Sequence, residues 1–189
     1  MRTKHLYSLL LLLIVVPFNP ALADEYADTI EVFKNAGESG SFFNTSYGYA
    51  VFPTIGKGGI GIGGAYGKGR VYVDGNHVGD TSMTQVTVGF QLGGEAYSQI
   101  IFFEDKRAFD EFTSGNFEFS ATASAVAITA GASASATTTG SSAGASGGKN
   151  DATTKSAGYY KGMAVFTVAK GGLMYEASIG GQKFSYTPK

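Results

Sequence analysis

Gly56-Lys57-Gly58-Gly59-Ile60-Gly61-Ile62-Gly63-Gly64-Ala65-Tyr66-Gly67-Lys68-Gly69-Arg70-Val71-Tyr72-Val73-Asp74-Gly75 is the stretch on which the fold turns. Its first six residues fit the spacing of a dinucleotide-binding glycine loop and follow an apolar strand. That loop works only where a helix begins and aims its amide groups at a pyrophosphate. Here alternating Gly and Ile lead instead into Tyr66 to Val73, which has strand composition, so the stretch reads as sheet and nucleotide binding is set aside. Glycine inside apolar alternation favours strands that bend and let other backbone approach closely. Asp74-Gly75 supplies the positive φ angles of a tight hairpin turn.

Working outward, strands are expected at Tyr49 to Phe52, Gly59 to Ala65, Arg70 to Asp74, Thr84 to Gln91 and Ala96 to Phe103. Phe117, Phe119, Ala121, Ala123, Ala125 and Ala127 alternate with polar residues and predict a further strand with a nearly flat buried face. Val165 to Val168 and Leu173 to Ile179 predict a closing hairpin. Two helices are expected. One runs from Asp24 to Ala36, with Tyr26, Ile30 and Phe33 as its apolar stripe and Gly37 as its stop; the other is Lys106 to Phe112. Between Thr137 and Lys155 no large apolar residue offsets the entropy of ordering, which predicts a mobile loop. The fold class is therefore α+β: a strongly bent, mostly antiparallel sheet closing into a barrel-like structure, with an N-terminal helix and a short central helix.

The chain has 189 residues, 28 of them glycine, and no cysteine. Met1 to Ala23 carries Arg2 and Lys4, an apolar run from Leu9 to Val16 and Ala21-Leu22-Ala23, the pattern of a cleaved signal peptide. Residues 24–189 suit a single domain. Removing the leader takes away two cations and no acid, so the formal charge moves from −1 to −3, and nucleic acid is not an expected partner. Without cysteine the exported chain has no acceptor for a lipoprotein anchor. Export to the periplasm or the outside of the cell is expected.

No substrate chemistry is visible. Gly140-Ser141-Ser142-Ala143-Gly144 and Gly144-Ala145-Ser146-Gly147-Gly148 fit a serine-nucleophile elbow, but such matches arise readily in a Ser/Ala/Gly tract, and the only histidine after the leader, His77, lies upstream of both. Asp74, Asn76 and Asp80 lack the closing glutamate of a calcium loop, and one histidine makes no metal site. Glu104-Asp105 and Asp110-Glu111 are adjacent pairs whose members do not face each other on a helix. The chain is read as a non-enzyme without cofactor or metal.

Several stretches, taken in order, resemble the SYLF domain family. They are Tyr49-Ala50-Val51-Phe52-Pro53, Gly59 to Gly64, Gly67 to Val71, Gly89-Phe90-Gln91-Leu92-Gly93-Gly94-Glu95, Ala108-Phe109 with Phe112 and Ser114-Gly115, and the segment from Lys170 to Tyr186 with its two glycine pairs. The resemblance covers roughly residues 45 to 186. It implies a lipid-binding module, which in fungal relatives also binds actin. For a lipid role the candidate residues are Lys57, Lys68, Arg70 and Lys170, with Tyr66 and Tyr72 as interfacial aromatics. Each cation near an anionic surface contributes on the order of 1 kcal/mol, so the four act together only if they share a face. In some relatives an N-terminal amphipathic helix meets the membrane; here its Asp28 and Glu31 would oppose anionic headgroups. The alternatives are a self-associating envelope protein, which would form homo-oligomers, and a small outer-membrane barrel, whose strands need roughly 9 to 11 residues.

Overall fold

The computed structural model describes residues 21–89, 95–121, 123, 125–128, 158–170 and 179–189. Helix α1 (Ala21–Asn35) and the single turn α2 (Phe42–Thr45) precede the strands β1 (Gly48–Val73), β2 (Asn76–Gly89) and β3 (Glu95–Phe103). Helix α3 (Lys106–Phe112) follows, and then β4 (Phe117–Glu118), β5 (Val126–Ile128), β6 (Met163–Lys170) and β7 (Lys183–Pro188). All strands join one sheet in the order β4-β7-β2-β1-β3-β6-β5. Every pairing between them is antiparallel except β5 with β6. The sheet curls into a half-barrel, as the α+β reading expects.

The three short strands expected between Tyr49 and Asp74 are one continuous run that doubles back on itself. The first arm of β1 pairs with β3 from Gly48 to Lys57, and the second pairs with β2 from Gly61 to Val73. The arms lie side by side: a Cβ built on Gly67 would fall 2.6 Å from the Ile55 side chain, and one on Gly69 would fall 2.7 Å from the Phe52 ring. Glycine is needed there because the bulky residue of one arm covers the bare backbone of the other. The reversal is made near Gly59, whose φ of 150° side-chain-bearing residues rarely adopt. Asp74 and Gly75, at φ 50° and 75°, make the expected turn into β2.

An irregularity between Phe52 and Ile55 switches the facing of the first arm. Ala50 and Phe52 before it, and Ile55 after it, all point into the same inner cluster. That cluster also holds Met83, Ile101, Phe103, Phe112, Val165, Ile179 and Phe184. Since β6 and β7 lie far apart in the sheet, their side chains can meet only inside the curl, which locates this core on the concave side. The convex side carries the second cluster, Phe33, Phe42, Val51, Ile100, Phe102, Ala164, Phe166 and Val168. The first arm of β1, together with β3 and β6, is thus buried on both faces, with α1 and α2 covering the convex one. A barrel in a membrane would instead present that convex face to lipid.

The single strand expected from Phe117 to Ala127 is a crossing segment. It starts as β4 on one edge of the sheet, paired with β7, and ends as β5 on the other, paired with β6. Between these, Phe119, Ala123 and Ala125 pack onto the inner core. Phe119 N–H donates to Gln182 O at 3.0 Å, and Ile179 N–H to Ala123 O at 3.3 Å. Of the alternating set, Phe117, Phe119, Ala123 and Ala125 are partly buried against the core while Ala121 and Ala127 are exposed, and the segment closes the mouth of the curl rather than extending the sheet. The expected mobile loop 137–155, both serine elbows, Gln91 to Gly94 and residues 173–178 of the expected closing hairpin lie outside the described residues. The other hairpin segment, 165–168, lies within β6, which pairs with β3 along its length and with β5 from Phe166 to Val168. The central helix matches its expected bounds, and its N-terminus is capped by the Asp105 carboxylate, which accepts from Ala108 N–H at 2.8 Å. Lys106 and Arg107 pair with Asp110 and Glu111 one turn on. The adjacent acids are thereby held on a solvated helix surface.

Candidate lipid-facing site

The six candidate residues divide into two groups according to what covers the convex face. Helix α1 lays Tyr26, Ile30 and Phe33 against the outer cluster, so the apolar stripe read from the sequence docks on the back of the sheet. Two of the candidate cations hold it there. Lys170 Nζ donates to Thr54 Oγ1 at 2.7 Å and lies 3.3 Å from Glu25 Oε1, while the Thr54 hydroxyl donates to the same Glu25 oxygen at 2.7 Å. Arg70 lies over the ring of Tyr26, 4.2 Å from its centroid, in a cation–π contact. Tyr72 is engaged as well: its ring stacks on Tyr49 with centroids 5.2 Å apart. Burial, helped by the neighbouring Tyr72, pushes the Tyr49 hydroxyl up to about 12. His77 sits beside Tyr72 with Nε2 3.0 Å from Asp80 Oδ1. Its partner is a carboxylate rather than solvent alone.

Tyr66, Lys68 and Lys57 remain outside this helix contact. Tyr66 and Lys68 are exposed and alternate with the inward Ala65 and Gly67, so they share the convex face with Arg70 and Tyr72. Lys57 is two residues beyond the inward Ile55 and sits across from Glu95 on β3. Among the described residues neither Lys57 nor Lys68 has an ion-pair partner. The four cations therefore do not converge as one free patch. The partners of Lys170 were illegible in sequence because Glu25 and Thr54 stand 145 and 116 residues away from it.

The Thr54 hydroxyl, and secondarily Lys170, holds the Glu25 carboxyl below its ordinary 4.5 against the opposing effect of burial. A carboxyl that titrates lower when folded contributes fully above about pH 4.5, and its contribution fades as the pH falls through the folded midpoint. An NMR titration of Glu25 should accordingly give a midpoint under 4.5, and Thr54→Val should move it upward. An unchanged midpoint in Thr54→Val would show that the hydroxyl does not anchor α1.

The described residues contain no group of three His, Cys, Asp or Glu able to hold a metal ion, and no helix among them is long and apolar enough to cross a membrane. Comparison with known proteins then bears on the family. Residues 84–185 match the Ysc84 family, described as Las17-binding protein actin regulator. The chain is also similar to Beta cell expansion factor A of Aeromonas veronii, at 30% identity over 162 residues, covering 84% of this chain and 53% of that protein. It thus spans about half the length of the curated relative it matches. The family match falls on β2, β3, α3 and the strands after them, the part of the sheet that wraps the inner core. On this match, supported by the glycine-spaced strands before it, the chain belongs to the Ysc84, or SYLF, family.

Proposed function

We propose that the protein is an exported, non-enzymatic binding protein whose SYLF domain engages anionic lipid or membrane surfaces. The family consists of binding domains for lipids or actin-regulating partners. The observation that carries the lipid reading is the charge along the glycine-rich part of β1. From Ile55 to Val73 the charged residues are Lys57, Lys68 and Arg70, all basic, with Asp80 of β2 across from Arg70, although the whole chain has a slight excess of acid. Such a stretch can face a negative surface while the rest of the molecule is weakly repelled, which orients the approach. Export is proposed on the charged start, apolar run and Ala21-Leu22-Ala23, and the mature N-terminus should be Asp24 by mass spectrometry.

Co-sedimentation with vesicles of phosphatidylcholine alone and of phosphatidylcholine mixed with phosphatidylglycerol tests the reading. Binding should require the anionic lipid and weaken as salt rises, because exposed cations act through screened attraction. Equal recovery with both vesicle types, or none with either, would defeat it.

A further inference from the structure

Where β1 doubles back, three large apolar side chains stand in solvent: Ile62 is 72% exposed, Val86 77% and Tyr66 52%. They are neighbours. Val86 pairs directly with Gly64, so Ile62 and Tyr66 flank it two residues to either side on the adjacent strand, on the same convex face. Gly64 between them has no side chain, which leaves a shallow saddle with Val86 at its centre. Among the described residues, the contact of helix α1 nearest this saddle is that of Tyr26 with Arg70. The next outward residue after Tyr66 is Lys68, and Lys57 lies near the same reversal.

We propose that Ile62, Tyr66 and Val86, rimmed by Lys68, form a membrane-contact site that inserts shallowly into the interfacial layer of an anionic bilayer. This rests on the lipid-surface reading above and assigns it to residues. Apolar tips with a tyrosine and a lysine at their margin fit the chemistry of that layer: the aliphatic groups reach the acyl boundary, the phenol sits at headgroup level and the ammonium meets phosphate. A second copy of the chain fits less well. Three side chains fall far short of the roughly 20 to 30 residues a side of a stable protein interface. A two-fold pairing through this patch would also bring Lys68 toward its own counterpart.

The chain contains no tryptophan, so single reporters can be placed cleanly. Using the exported protein with its N-terminus verified, Val86→Trp should shift its emission to the blue with phosphatidylglycerol-containing vesicles and be quenched by brominated lipid. Val32→Trp, on the outward side of α1, should do neither. The double variant Ile62→Ser/Val86→Ser should bind these vesicles at least about tenfold more weakly, since burying one such side chain is worth about that factor. Its thermal midpoint should hold, because both positions are exposed. If the parent protein sediments with vesicles while Val86→Trp stays silent, or the double serine variant binds as well as the parent, the site lies elsewhere and only this assignment falls. If nothing sediments, the lipid reading falls with it. A blue shift of Val86→Trp that grows with protein concentration in the absence of lipid would give the patch to a second copy instead.

Discussion

Phe102→Ala should destabilise the domain by about 3–5 kcal/mol, the usual cost of emptying a buried aromatic site. Its ring is fully buried on the convex side of β3 and lies within 6.0 Å, centroid to centroid, of Phe42, Phe43, Tyr49 and Phe166. These neighbours come from α2, β1 and β6, so the cavity would be walled by elements that cannot all collapse together. For a domain of this size the loss corresponds to a fall of roughly 6–20 °C in thermal midpoint. Val32→Ala, on the exposed side of α1, should change stability by no more than about 0.5 kcal/mol. Equal midpoints for the two variants would mean that the outer aromatic cluster does not hold the helices to the sheet.

Gly69→Ala should cost about 1–3 kcal/mol although it adds a single methyl group. That methyl would lie 2.7 Å from the Phe52 ring and 2.8 Å from the Val51 carbonyl oxygen. The ring can swing; the carbonyl moves only if the first arm of β1 moves. Gly56→Ala is the informative contrast, because a Cβ there meets nothing within 4 Å and its φ is not positive. It should leave the melt unchanged or raise it slightly by restricting the unfolded chain. Thermal or urea melts of the two variants check the pair, and a neutral Gly69→Ala would contradict the side-by-side placement of the two arms.

The sheet itself was legible because apolar alternation reports a buried face whatever the order of the strands. Thus β3 was located to within a residue, and the Lys106–Phe112 helix to its printed bounds. Topology was less legible. Glycine marks where backbone can bend, but which neighbour fills the vacated space depends on contacts such as Gly69 with Phe52, 17 residues away along the chain. The alternating run after Phe117 shows the same limit: its small side chains suit a flat strand and a crossing segment equally, and only the pairing of β4 and β5 with opposite edges distinguishes them. Strand β7 was missed as a separate element because Lys183 to Pro188 is short and closes with proline. In the site, residue type marks Arg70, Lys170 and Tyr72 as candidates, yet they meet α1 or an aromatic neighbour. Residue type gives no such mark to Ile62 and Val86, because an apolar residue in a strand is ordinarily core. Their parity places them on the face opposite Ala65 and Met83.

The last strand makes the inner core depend on distant partners. Strand β7 hydrogen-bonds β2 across separations such as the 104 residues between Thr81 and Ser185, and it delivers Phe184 into the middle of the inner core. Closing so wide a loop is slow compared with local pairing, so β1 and β2 can zip together from their tight turn well before the piece that seals the concavity arrives. The pace of folding is thus set by long-range pairing rather than by the hairpin turn.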